Sequence, residues 1–210
     1  MSADTWRIPV RLSETGGLMR DLDLSPRLDR AMRWSAACHA GQFRRGSDVP
    51  YFQHVAAVAM ILDRAGFEED VVIAGLLHDV VEDTPATLAD VSERFGEAVA
   101  ALVSVCSEEK LDASGNKRPW IDRKRDHLAA IAKADESARA VILADKLHNL
   151  ASIEVDLEAG LPIWERFHAD RDRVLWYYQA MIDACSGDDP RLSALAKACR
   201  DRLARIEALG

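Results

Sequence analysis

The stretch "LLHDVVEDT", residues 76–84, begins as apolar core and ends in groups that can do chemistry: His78, Asp79, Glu82 and Asp83. Ionisable side chains are rarely buried without a partner or a metal. Two other segments carry polar groups on faces that are otherwise apolar. In "PYFQHVAAVAMILDRAG", Tyr51, His54, Val58, Ile61 and Leu62 share one helical stripe, so His54 points with the core. In "AVILADKLHNLASI", Asp145 follows Val141, Ile142 and Leu143, and His148 and Asn149 fall on its face one turn later. Two imidazoles and two carboxylates drawn from separate helices make a mixed nitrogen and oxygen site. That donor set suits Mn²⁺, Fe²⁺, Zn²⁺ or Co²⁺. A cation would also offset the cost of placing Asp79 and Asp145 among apolar side chains. With positions left for water and a phosphate oxygen, the chemistry is metal-assisted hydrolysis of a phosphate ester. Glu82 and Asp83 exceed what one ion requires, and carboxylates so placed act as general bases or position the attacking water.

A single buried histidine is more often a hydrogen-bonded core residue than a ligand, and a helical aspartate often pairs with arginine. The ordered series changes that balance: His54, then His78-Asp79, then Asp145, each inside apolar helical sequence.

The elements that must carry these residues are helices. Sustained alternation and Asn-Gly or Asp-Gly hairpin signals are missing from the sequence. "SPRLDRAMRWSAACHAGQ" opens with Ser25 as a cap and Pro26 at the first helical position. A second helix starts at Pro50 and stops at Gly66, a C-terminal cap. "EEDVVIAGLLHDVVED" is apolar almost all round and predicts one central buried helix, on which His78 and Glu82 face the same side. "TLADVSERFGEAVAALVSVC" predicts two short helices divided at Gly96. Residues 107–119 read as a polar loop, followed by helices from about Trp120 to Ala134 and from about Glu136 to Glu158. The tail adds "WERFHADRDRVLWYYQAMIDAC", a Gly-Asp-Asp-Pro break at 187–190 and a terminal amphipathic helix. The expectation is an all-α, compact multi-helix fold. It divides into an N-terminal segment (1–24), a core domain (25–158) and a helical C-terminal extension packed on it (159–210). The tail aromatics, Trp164, Phe167, Trp176, Tyr177 and Tyr178, could cap the domain, line a ligand pocket or form a subunit contact, and at helical spacing the default is a packing cap.

The 210 residues are 49% apolar and 30% charged, enough for one sizeable core under a solvated surface. No run of about 18 apolar residues predicts a membrane span, and the N-terminus lacks a signal-peptide pattern. Cys38, Cys106, Cys185 and Cys199 are scattered and read as reduced thiols of a cytoplasmic protein. A net charge of −8 argues against extended nucleic-acid binding. A small anionic ligand needs only a local basic pocket, and Arg44, Arg45, Arg123, Lys124, Arg125 and Lys146 lie near the motif segments. Lys146 has the alternative of pairing with a nearby carboxylate. The sequence leaves the oligomeric state open.

His54, His78-Asp79 and Asp145 resemble the H…HD…D signature of the HD-domain phosphohydrolases. "HDVVEDT" is similar to the His-Asp-x-x-Glu-Asp motif of the RelA/SpoT-type hydrolase domains. The blocks "CHAGQFRRGSDVPYFQHV", "FGEAVAALV" and "LADKLHNL" agree, and the resemblance covers approximately residues 28–158. It implies an HD-domain fold and removal of the 3′-pyrophosphate of (p)ppGpp, a small-molecule nucleotide substrate, with Mn²⁺. It further implies metal ligation by His54, His78, Asp79 and Asp145, and water activation by Glu82 and Asp83. Asn149 would lie beside the metal and the ribose or 3′-phosphate. Arg44 falls in the family's basic loop, and Lys124 stands where the family carries a basic residue, so both are expected to bind substrate. Val55 replaces the proline that often follows the first ligand histidine, which should alter local geometry without removing a ligand. The length leaves no room for a synthetase domain, so a small stand-alone hydrolase is expected. The same centre could serve another nucleotide, such as (p)ppApp or the 2′-phosphate of NADPH, and a non-catalytic nucleotide-binding module is the third reading.

Overall fold

The computed structural model describes residues 24–107, 115–116, 118–167 and 169–209, and the backbone of a short antiparallel pair, Arg11–Leu12 with Leu18–Met19. The remainder is helical, and the fold is all-α. Helix α1 (Pro26–Cys38) starts where Ser25 accepts a hydrogen bond from the Leu28 amide at 3.0 Å. Its first turn is tied to the next layer by contacts of Ser25 with Glu69 and of Arg27 with Asp70 and the Phe95 carbonyl. Helix α2 (Phe52–Ala65) ends at Gly66, whose φ of 87° is the left-handed cap conformation. Val55 is fully buried in its first turns, and the helix runs on through it.

The expected single central helix is two. Helix α3 (Glu69–Leu77) is buried along its length from Val71, and a four-residue helix α4 (Val80–Asp83) follows a break at His78-Asp79. Apolar residues on every side carry no signal for such a break, so the sequence reading of one continuous face for His78 and Glu82 is corrected here. Side chains supply the physical reason. His78 Nδ1 lies 2.8 Å from the Gly75 carbonyl and Ser35 Oγ donates to the Leu76 carbonyl at 2.7 Å. These are the acceptors a continuing helix would offer to Asp79 and Val80. Gly75 also lets α3 lie against α2, since a Cβ there would meet Leu62 Cδ1 at 2.6 Å.

Helices α5 (Leu88–Phe95) and α6 (Glu97–Cys106) divide at Gly96, as the sequence predicts, and Thr87 with Asp90 forms a reciprocal cap on α5. Helix α7 (Trp120–Ile131) comes after the polar segment, of which residues 108–114 and 117 lie outside the described residues. Helix α8 (Glu136–Glu158) runs through the middle, touching α2, α3 and α6. Helices α9 (Arg171–Ala184) and α10 (Pro190–Leu209) meet its remaining surface, and α9 also touches α7. Glu154 of α8 is buried and held by Arg202 and Arg205 of α10. No helix of the described residues is long and apolar enough to cross a membrane.

Candidate metal centre

Three elements deliver the donors to one point. His54 comes from the first turn of α2, His78 from the end of α3 and Asp145 from mid-α8, after the buried run Ala140–Ala144. One donor atom from each lies within 4.8 Å of the others. Asp145 Oδ1 is 3.2 Å from His54 Nε2 and 3.8 Å from His78 Nε2. Asp79, freed from helical register by the break, brings Oδ2 to 3.0 Å from His78 Nε2 and 3.5 Å from His54 Nε2. Metal–donor bonds of about 2.1 Å put neighbouring donors roughly 3 Å apart, so these separations fit one ion. A second observation agrees. His78 is buried, its Nδ1 engages the Gly75 carbonyl, and its Nε2 has no aligned hydrogen-bond partner although Asp79 is near. An imidazole fixed at one nitrogen and aimed with the other at carboxylates is how ligand histidines are held. The residues therefore fit a divalent cation.

The electrostatics carry the same demand. Burial alone would raise both carboxyls. His78 and His54 hold Asp79 well below the carboxylate range, and Lys146 with the two imidazoles does the same for Asp145. Burial would lower His78, but Asp79 and Asp145 outweigh it and push the imidazole up to about 9. A divalent ion among these donors would take the place of that proton. Burial and the nearby Asp79 raise the Tyr51 phenol, which stays a hydroxyl and donates to Asp79 Oδ2 at 2.6 Å.

The donors open into a cavity of about 210 Å³ that is also lined by Glu82, Asp83, Lys124, Lys146, Asn149 and Tyr177. Both carboxylates of the Glu-Asp pair thus share a chamber with His54, His78, Asp79 and Asp145. Gln42 donates to the Asp83 carbonyl at 2.8 Å, anchoring α4 to the loop before α2. Asn149 donates to Asp145 Oδ1 at 2.5 Å and accepts from Arg44 at 2.6 Å. Arg44 lies 5.7 Å over the Tyr51 ring and is not a wall of this cavity. Lys146 pairs with Asp145 Oδ2 at 2.6 Å, the alternative its position in the sequence suggests. A second cavity of about 470 Å³ shares Lys124, Lys146 and Tyr177 with the first. Arg45, Arg118, Arg123 and Arg173 line it, together with Trp120, Phe167 and Tyr178. Of the roles the sequence offers for Tyr177 and Tyr178, both packing and pocket lining are seen: each packs against the core and each lines the second cavity, with Lys124 Nζ 4.5 Å over the Tyr177 ring. The spacing of α9 could not separate these from core positions. Tyr51 was recognisable only as a stripe-mate of His54.

The HD-domain family profile matches residues 31–171, about two-thirds of the chain. The chain belongs to the HD-domain family. Among relatives of this HD domain, the guanosine-3′,5′-bis(diphosphate) 3′-pyrophosphohydrolase MESH1 of Drosophila melanogaster is 33% identical over 171 residues, 80% of this chain and 89% of that one. The bifunctional (p)ppGpp synthase/hydrolase SpoT of Escherichia coli K12 is 36% identical over 132 residues. That match takes in 62% of this chain and 18% of SpoT. A solved structure of a metazoan SpoT orthologue that hydrolyses ppGpp aligns with a TM-score of 0.71 at 30% identity, covering 90% of this chain and 100% of that chain. The structure of lmo0812 from Listeria monocytogenes EGD-e aligns with a TM-score of 0.60 at 35% identity, covering 70% and 96%.

Proposed function

We propose that this HD domain is a (p)ppGpp hydrolase that removes the 3′-pyrophosphate, giving GDP or GTP and pyrophosphate. The observation that carries it is the shared chamber. The His-His-Asp donors, Asp79 and the Glu82-Asp83 pair line one cavity, and a cation-rich aromatic cavity adjoins it through Lys124, Lys146 and Tyr177. The relatives MESH1 and SpoT support the substrate by name.

In this reading His54, His78, Asp79 and Asp145 hold the ion, and Mn²⁺ suits their mixed donors. A bound divalent cation supplies Lewis acidity toward a phosphoryl oxygen and lowers the pKa of water. Glu82 and Asp83 orient the attacking water and take its proton as it adds to the 3′-linked phosphorus. The bond from that phosphorus to the ribose 3′ oxygen breaks. The oxygen leaves as a hydroxyl carrying the proton that the Glu82-Asp83 pair took from the water, and the two phosphates released with the water oxygen are pyrophosphate. Lys124 and Lys146 balance charge on the phosphate oxygens. The 5′-phosphates and the base extend into the second cavity, where Arg45, Arg123 and Arg173 can grip phosphate and the aromatic walls can stack. Asn149 and Arg44 act from the rim, through Asp145 and toward the ribose. Residues 25–158 would then form the catalytic unit of a cytoplasmic enzyme, and 159–210 would complete the substrate wall.

The test is product analysis with Mn²⁺-loaded protein, offered ppGpp, pppGpp, ppApp and NADPH in turn, beside Asp79→Ala. GDP and pyrophosphate from ppGpp, absent with the variant, are expected. Orthophosphate from NADPH with ppGpp untouched would replace this substrate assignment.

A further inference from the structure

We propose that His148 is the positioning residue of His54, accepting its Nδ1 proton and so fixing the tautomer that presents the Nε2 lone pair to the ion. The proposal rests on the metal-centre reading above. The two Nδ1 atoms are 2.8 Å apart in a buried contact, with ring centroids 4.9 Å apart and planes at 48°. At that distance one nitrogen carries the proton and the other receives it. His54 Nε2 is the atom nearest the carboxylates, 3.2 Å from Asp145 Oδ1 and 3.5 Å from Asp79 Oδ2. For it to bind a cation it must be deprotonated, which sends the proton of neutral His54 to Nδ1, where His148 Nδ1 stands as the acceptor. His148 then carries its own proton on Nε2. That atom lies 3.3 Å from the Gln53 amide, and a half-turn of this amide about its last bond offers Oε1 to it. His54, His148 and Gln53 thus form one directed line from the ion site to the edge of α2.

His78 reaches the same end by another route. Its Nδ1 is fixed by a backbone carbonyl, which can only accept. His54 depends on a side chain, and a side chain can be replaced without disturbing the backbone. Orienting partners of this kind typically change metal affinity by about 10–100-fold when lost.

The decisive measurement is ¹⁵N–¹H correlation spectroscopy of the histidine rings in the full chain loaded with diamagnetic Zn²⁺. The expected pattern is a proton on Nδ1 of His54 and on Nε2 of His148. A proton on Nδ1 of His148 overturns the proposal. Calorimetric titration with Zn²⁺ and Mn²⁺ provides the second arm. His148→Leu, which keeps an apolar volume and removes the acceptor, should weaken binding by about 10–100-fold. His148→Asn, whose Oδ1 falls where Nδ1 stood, should restore most of the affinity. A residue that only fills space would show the reverse order. His54→Ala separates the two readings. Unchanged metal affinity in that variant would sink the metal centre itself, whereas its loss, with His148→Leu binding like the wild type, would sink only the role of His148. Should His148→Leu fail to fold, the wild-type ring spectrum decides alone.

Discussion

The two sides of the cavity are built on different principles. On the metal side, His54, His78, Asp79 and Asp145 are buried or nearly so, and Tyr51, Gly75, Lys146, His148 and Asn149 fix them at 2.5–2.8 Å. The other side is built from α7 and α9, where Lys124 Nζ lies 4.5 Å over the Tyr177 ring, the Tyr177 hydroxyl is 3.1 Å from His127 Nδ1, and Arg173 joins them as a wall of the adjoining cavity. A metal site must be preorganised, because its donors have to be deprotonated and converged before the ion arrives. A surface that grips phosphates can rely on charge, which falls off gradually with distance and tolerates displacement. Substitutions on the two sides should therefore fail in different ways.

The largest effect is expected on the metal side. Asp145→Asn keeps the volume but removes the charge on which His54, His78 and Lys146 converge. Calorimetry should find no tight Mn²⁺ site and ppGpp hydrolysis should fall to background, while retained stoichiometric metal would break the distinction between the sides. A smaller effect belongs to the opposite wall. Lys124→Ala should raise KM for ppGpp about tenfold, near the 1.4 kcal/mol of one charge-assisted contact, with metal content unchanged. A fall in kcat at constant KM would instead place Lys124 in the transition state. The smallest effect lies outside both sides. The Arg205 hydrogen bond, opposed by burial and aided by Arg202, holds the Glu154 carboxyl below its ordinary range. A depressed carboxyl stabilises the fold above its unfolded value of about 4.3 and loses that contribution as pH falls through its folded value. Glu154→Gln should thus cost about 0.5–1 kcal/mol in urea unfolding at pH 7, a modest loss because both arginines reach water. The difference should start to shrink below about pH 4.3 and vanish once the pH has passed the lower folded value, and a gap that does not shrink in acid would contradict the ion pair as its source.

The contrast also explains what the sequence could disclose. Ser25-Pro26, Gly66 and Gly96 are local stop and start signals, and the helices begin and end near them. The metal side is legible because each donor interrupts an apolar run: His54 among Val55 and Val58, Asp145 after Leu143. The break at His78-Asp79 was hidden, since it depends on Ser35 and His78 capturing carbonyls across a tertiary contact. That break brings Asp79 and His78 to one point from adjacent positions. The opposite wall was legible only as one of several options, for a related reason. Tyr177 and Tyr178 sit on a helix whose periodicity resembles core packing, and only the approach of α9 to α7 turns them toward a cavity. Arg44 touches the cavity through Asn149, one of its walls, a contact that motif position alone does not disclose.

The central claim is that ion binding and water activation are separate duties of one cavity, the first in His54, His78, Asp79 and Asp145, the second in Glu82 with Asp83. The most direct test measures bound Mn²⁺ and the release of GDP and pyrophosphate from ppGpp for the wild type and Glu82→Gln side by side. Equal metal content with turnover lowered by about 10²–10⁴-fold in the variant is the predicted result. Turnover equal to the wild type, or loss of the metal together with activity, would contradict it.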